Sequence, residues 1–243
     1  NSVRKELIGG ILLVSVIVVT VCTVLVVLDI GISLLTIDIV SLIVSIAVGS
    51  ILLKTTIAIR GMQKHALAVV DAVEKGDLGS ARNHLSMIVK RDTKNLDKNH
   101  ILSGVLESVS ENTVDGITGP LFYYAIFGLP GAFVYRAINT VDSMIGYKTT
   151  LFKNVGWFGA KCDTVLNYAP SRLTGLVMIL GALILGYNWK ESLYIMRRDS
   201  GKLESTNAGF PMAALAGALG TRLEKMDYYT IGNGSIEFTK SHI

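Results

Sequence analysis

The chain has 243 residues, half of them hydrophobic and only 17% charged, with a mean hydropathy of +0.49. Soluble domains carry about a quarter charged residues, so an ordinary soluble domain is excluded in favour of an integral membrane protein. The net charge of +4 comes without a dense basic stripe, which argues against nucleic acid as a partner. The two cysteines, Cys22 and Cys162, and the four histidines form no C-x-x-C or H-E-x-x-H pattern, so neither zinc nor a disulfide framework is expected.

Residues 7–28 contain no charged residue and no histidine. About 20 apolar residues suffice for a spanning helix, and the run is too long for a signal-peptide core. A second apolar run covers 30–53, interrupted by Asp38, with a turn expected around Gly31-Ile32-Ser33. No Lys or Arg occurs between Lys5 and Lys54, so the positive-inside rule places the N-terminus and residue 54 onward in the cytoplasm.

Residues 54–110 read as soluble helices. Ala66, Leu67, Val70 and Val73 recur at helical spacing, Gly76-Asp77 stops that helix and caps the next, and Leu78, Ala81, Leu85 and Ile88 repeat the pattern. Asp97 is placed to cap a third helix carrying Ile101, Leu102, Val105, Leu106 and Val109. Residues 116–135 are charge-free but contain Pro120 and Pro130, the pattern of a broken or re-entrant helix. A further apolar run follows at 173–189, and 207–221 is rich in the small residues that favour close helix packing. The expected fold is an all-α, polytopic integral membrane helical bundle with a cytoplasmic helical lobe and a re-entrant segment. It divides into two transmembrane helices (1–53), a helical lobe (54–115) and a membrane-associated region (116–243).

One short phrase occurs twice: Asn112-Thr113-Val114-Asp115-Gly116 and Asn139-Thr140-Val141-Asp142-Ser143. Asn and Asp three residues apart share a helix face, and oxygen donors of this kind suit Mg²⁺, which is held by one or two carboxylates plus substrate phosphates. Glu107, Glu111 and Asp115 follow at i, i+4 intervals, a ladder of like charges that costs stability without a cation. Arg91-Asp92-Thr93 offers a planar fork for phosphate or carboxylate, although alone it reads as a surface helix terminus. Arg136 and Lys148 flank the second Asn/Asp pair. Arg172 precedes an apolar run, where snorkelling to the interface is the plainer reading. Asn207-Ala208-Gly209-Phe210-Pro211 taken alone is an ordinary helix start. The residues themselves therefore indicate an Mg²⁺-dependent membrane enzyme for phosphorylated or polyanionic ligands.

Taken together, these motifs resemble the CobD/CbiB membrane proteins of cobalamin biosynthesis, the adenosylcobinamide-phosphate synthases. The resemblance runs through Gly76-Asp77, Ala81-Arg82, Leu85-Ser86, Arg91-Asp92-Thr93, residues 107–120 and 135–147, Gly156-Trp157, and residues 167–173 and 207–220. It covers roughly residues 55–225. Lys161-Cys162-Asp163-Thr164 departs from the family's usual Arg-Leu-Asp-Asp. The chain is also expected to begin after the family's first apolar segment and to stop before its last.

The resemblance implies an ATP-dependent amide ligase of the cell membrane. It would join adenosylcobyric acid to an aminopropanol phosphate, with Mg²⁺ as cofactor and ATP as co-substrate. Glu107, Glu111, Asp115 and Asp142 are then the catalytic candidates, and Asn112, Asp115, Asn139 and Asp142 the metal ligands. Arg91, Arg136, Lys148, Arg172 and Asn207 are the substrate- or phosphate-binding candidates. The lipid bilayer and other late corrinoid-pathway enzymes are the expected partners. Two alternatives stay open: a membrane transferase for phosphorylated lipid precursors, whose D-x-x-D-G-x-x-A-R pattern is missing here, and a corrinoid transporter or scaffold.

If 116–135 is re-entrant, both Asp residues lie on one side of the membrane. Single cysteines at 115 and 142, placed in a background lacking Cys22 and Cys162, should label with a membrane-impermeant thiol reagent from the same face. Labelling from opposite faces would mean that the segment spans.

Overall fold

The structure, a computed structural model, describes residues 2–34, 38–147 and 149–236. The chain folds into two units, each assembled from two separate stretches. Asn1–Ile57 joins Asp115–Asn167, and Ala58–Val114 joins Tyr168–Ile243. Residues 116–243, read from the sequence as one region, therefore contribute to both.

The first unit is helical throughout its described residues. Helix α1 spans Ser2–Leu34 and α2 spans Asp38–Thr56. Both expose Val, Ile and Leu around most of their circumference, including Leu12, Val16, Ile43 and Ile46. Such helices are stable in lipid because every backbone polar group is satisfied within the segment. Three helical stretches are long and apolar enough to cross a membrane: Ser2–Leu34, Ile39–Glu74 and Lys98–Ile145. The expected turn at Gly31-Ile32-Ser33 is not present, since α1 continues through it to Leu34. A lone glycine in an apolar helix leaves the hydrogen-bond ladder intact, and glycine is common in transmembrane helices. The unit is completed by α6 (Gly119–Ile145), entered through a π-turn at Val114–Thr118, and by α7 (Trp157–Leu166). Its small core joins Val14 of α1 to Ile138 and Val141 of α6.

The second unit holds α3 (Ile59–Glu74), α4 (Leu78–Ser86), α5 (Lys98–Thr113), α8 (Tyr168–Ile184), α9 (Trp189–Asp199) and α10 (Gly209–Leu219). Local signals set its first helices. Gly76 takes the left-handed conformation at φ 77° that ends α3. Asp77 caps α4 by accepting from Ser80 N–H, and Asp97 caps α5 by accepting from His100 N–H. The apolar positions read from periodicity, among them Ala66, Val70, Leu85, Ile101 and Val105, form one buried cluster. The second cluster centres on α10, whose Met212, Ala213, Ala214 and Ala216 are buried with Leu106 and Ile195. Its small residues bring backbones together: a Cβ on Gly217 would strike the backbone of Glu191 and Ser192, and Ser192 Oγ donates to the Ala214 carbonyl at 2.7 Å.

The all-helical expectation omits one feature, a β-hairpin of β1 (Arg222–Lys225) and β2 (Tyr229–Gly232). Leu223 faces Ile231 across it, and both are fully buried. Asp199 fastens this hairpin to α9. Its fully buried carboxylate accepts from Arg198, as two bonds of 2.7 Å, from Lys202 at 2.7 Å and from Gly232 N–H at 2.9 Å. Burial alone would raise its pKa, but the two cations and the backbone N–H outweigh it and hold the carboxyl well below its ordinary range.

A depressed carboxyl pKa means that the unfolded chain binds the proton first as acid is added. The stability contributed by Asp199 is complete above the unfolded pKa of about 3.9 and is lost as pH falls toward the lower folded value. Asp199→Asn should cost about 1–3 kcal/mol at pH 7, with the two exposed cations free to resolvate. The gap to wild type should narrow below about pH 4. Thermal unfolding in detergent, followed by circular dichroism across pH, measures both; a gap independent of pH would contradict this account.

Candidate functional site

Helix α6 is not one rod. Gly128 inside it adopts φ 63° and ψ −154°, followed by Pro130. Glycine tolerates positive φ without a Cβ penalty, and proline breaks the ladder by removing an N–H. The chain reverses here. On a straight helix Asp115 and Arg136 would lie about 31 Å apart at 1.5 Å per residue, yet Arg136 Nη1 donates to the Asp115 carbonyl at 3.0 Å. The arms of this helical hairpin close because small residues face large ones. Gly119 lies against the Tyr135 ring and Gly131 against the Tyr123 carbonyl, with no room for a Cβ at either. Tyr123 and Tyr135 stack with centroids 5.3 Å apart.

The reversal assembles a polar network between the arms and α7. Tyr135 is buried, and its hydroxyl donates to Asn167 Oδ1 at 2.6 Å, with Asp115 Oδ1 at 3.4 Å. Arg136 Nη1 also reaches Asn139 Oδ1 at 3.3 Å. Asn139 and Asn167 donate to the two oxygens of Asp163 at 3.2 and 3.0 Å. Burial, and then the nearby charges of Asp115 and Asp142, push the Asp163 pKa up to about 6. Asp163 thus lies in a partly buried site near the carboxylates of Asp115 and Asp142, with Arg136 bonded to the Asp115 carbonyl beside it.

Its depth follows from its neighbours in the same unit. Ile138 and Val141 pack on Val14, in the half of α1 that begins with Arg4 and Lys5. The hairpin tip at Gly128–Pro130 instead borders an apolar cavity of about 350 Å³ with Leu25, Asp29 and Ile32 of α1 and Ser45, Val48 and Leu52 of α2. The hairpin therefore runs along α1 and returns. Its base lies beside Val14, Ile17 and Val18 of α1.

The remaining predicted residues are distributed differently. Glu107 and Glu111 stand one turn apart on α5, while the π-turn beginning at Val114 takes Asp115 out of α-helical register with them. Glu107 is buried in the second unit, ion-paired to Arg91 at 3.3 Å and accepting from Ser103 at 2.7 Å and Tyr229 at 2.8 Å. This cluster closes the predicted Arg91 fork onto a carboxylate of the protein itself. Glu111 is exposed on α5, and the Asn112 amide donates back to the Ser108 carbonyl at 2.9 Å. Arg172 and Asn207, 35 residues apart in sequence, meet at 3.4 Å. Lys148 lies outside the described residues. Among the described residues, no group of three or more His, Cys, Asp or Glu side chains is placed to hold a metal by itself.

Tyr135, Asp163 and Asn167 were not among the candidates read from the sequence. Tyr135 and Asn167 begin motifs singled out there, and Asp163 sits in the Lys161–Thr164 segment set aside as a departure. A buried Tyr or Asn leaves no periodic signal of its role.

The family described as CobD/Cbib protein matches the chain over residues 1–241. A protein of Methanothermobacter thermautotrophicus named "Probable cobalamin biosynthesis protein CobD" is 46% identical over 189 residues, which is 78% of this chain and 63% of the relative. The "Cobalamin biosynthesis protein CobD" of Leptospira interrogans is 48% identical over 177 residues, 72% of this chain and 56% of the relative. That of Clostridium perfringens is 45% identical over 182 residues, 75% of this chain and 58% of the relative. The chain thus spans under two thirds of the length of these relatives. No solved structure matches it.

Gly128 is the test of the hairpin. Gly128→Val places a β-branched residue at positive φ and should destabilise the protein by about 1–3 kcal/mol. It should also separate residues 115 and 139, so a disulfide trapped between cysteines at those positions in the glycine parent should fail to form in the valine variant. Equal cross-linking in both would mean that the reversal does not depend on this glycine.

Proposed function

The chain belongs to the CobD/CbiB family, and we propose that it acts in cobalamin biosynthesis as an ATP-dependent amide ligase. It joins the free carboxylate of adenosylcobyric acid to an aminopropanol phosphate to give adenosylcobinamide phosphate. The observation that supports this reading best is the gathering of Asp115, Asp142 and Asp163 with Arg136 at the base of the hairpin.

A carboxylate is a poor acyl donor and requires activation. A carboxylate oxygen of the corrinoid attacks the γ-phosphorus of ATP, the bond to ADP breaks, and an acyl phosphate forms. The amine nitrogen then attacks the acyl carbon, the C–O bond to phosphate breaks, and the nitrogen loses a proton to solvent or to the departing phosphate. Both steps build charge on phosphoryl oxygens, which preorganised cations and dipoles stabilise.

The residues present fit Mg²⁺. Asp115, Asp142, Asp163 and the amide oxygens of Asn139 and Asn167 are hard oxygen donors, and Asp163 lies near both other carboxylates. An incomplete set suits this ion, which keeps open positions for phosphate and water. When bound it supplies charge neutralisation to the phosphoryl oxygens. Arg136, held by the Asp115 carbonyl and Asn139, orients an anionic group beside the carboxylates. Asn139 and Asn167 fix both oxygens of Asp163, and Tyr135 fixes Asn167.

The test is reconstitution in detergent with adenosylcobyric acid, aminopropanol phosphate and MgATP, followed by mass. A corrinoid mass gain that matches amide formation and disappears without ATP or Mg²⁺ is expected. Asp115→Ala and Asp142→Ala should each lower turnover at least about a hundredfold while the helical circular dichroism is retained. Near-normal turnover in both would remove the metal-site assignment. Corrinoid binding without product would point to a transport or scaffold role.

A further inference from the structure

In the second unit one guanidinium is held as packing alone does not require. Arg172 lies between two rings, its Cζ 3.4 Å from the Tyr168 centroid and 4.3 Å from that of Phe210. One edge is fastened. Nη1 donates to the Tyr168 carbonyl at 2.7 Å, to Asn207 Oδ1 at 3.4 Å and to Ser171 Oγ at 3.5 Å. The other edge is open: Nε and Nη2 donate to no described residue, and neither is buried. Tyr168 itself is 58% exposed. No carboxylate pairs with Arg172 among the described residues, in contrast to Arg91, which is closed by Glu107.

A guanidinium stacked on aromatic rings has lost water where they cover it. An anion can reach it along the unfastened edge, where two parallel N–H groups match the spacing of two oxygens. Two aromatic walls and an anchored edge also remove most of the side-chain freedom that binding would otherwise cost. We infer that Arg172 is a preset anchor for a terminal phosphate, and that Tyr168 and Phe210 are its positioning residues. The identity of the phosphate's carrier, the amine substrate or the nucleotide, rests on the ligase reading. The anchor itself does not.

The experiment is calorimetric titration of the whole protein in detergent with aminopropanol phosphate, and separately with ATP, alongside the turnover assay. Arg172→Gln should weaken binding of one of the two at least about tenfold. Arg172→Lys should do nearly as badly, because it keeps the charge but loses the planar fork. Tyr168→Leu and Phe210→Leu should weaken the same titration about three- to thirtyfold, whereas Tyr168→Phe keeps the ring and should bind as wild type. The carrier is whichever titration falls. Wild-type affinity for both compounds in Arg172→Gln, or full retention in Arg172→Lys, overturns the proposal, and this holds even if the leucine variants fail to fold. Arg172-dependent phosphate binding without amide formation would leave the anchor standing and remove the ligase reading. Normal turnover with phosphate binding independent of Arg172 would do the reverse.

Discussion

The reversal of the chain at Gly128 is the constraint on which the first unit depends. A polar backbone break within an apolar segment is costly in lipid unless neighbouring protein covers it. Here the exposed groups of the break lie beside α1 and α2, while the arms are sealed by glycine-on-tyrosine contacts. Once the arms are closed, Asp115 must meet Arg136 and Asn139, and α7 can supply Asp163 and Asn167 from the other side. None of these contacts is available to a straight helix.

The same geometry explains how carboxylates are tolerated at the edge of a membrane segment. Asn139 and Asn167 donate to both oxygens of Asp163, and the base of the hairpin packs beside Val14, Ile17 and Val18 of α1. Burial, and then the charges of Asp115 and Asp142, raise the Asp163 pKa there. In the second unit, Glu107 and Asp199 are each matched to cations and donors within the fold, so both serve to tie the β-hairpin down, whereas Arg172 keeps an open edge.

The contrast between Arg91 and Arg172 shows how far residue type determines role. Arg91 was a candidate for its planar fork, and Arg172 became one through the family resemblance. Arg91 meets a carboxylate of its own chain, supplied from α5, and its fork is consumed. Arg172 meets two rings and a carbonyl, which orient the fork without neutralising it. The Glu107–Glu111–Asp115 spacing is a valid argument about α-helix as far as Glu111, and the π-turn at Val114–Thr118 changes the register only for Asp115.

What the sequence by itself determined is what short-range physics determines. The apolar runs, the caps at Asp77 and Asp97, the stop at Gly76 and the buried stripe from Ala66 to Val105 all depend on residues within a turn or two of one another. Pro120 and Pro130 likewise announced a broken segment. The tertiary structure decided the direction the chain takes after that break. It also decided which distant partners follow, Asp163 for Asn139, Glu107 for Arg91 and Phe210 for Arg172, and the pairing of β1 with β2. The three side-chain partnerships join residues 16 to 38 positions apart, which carry no periodic or local signal because they form only when separate helices pack.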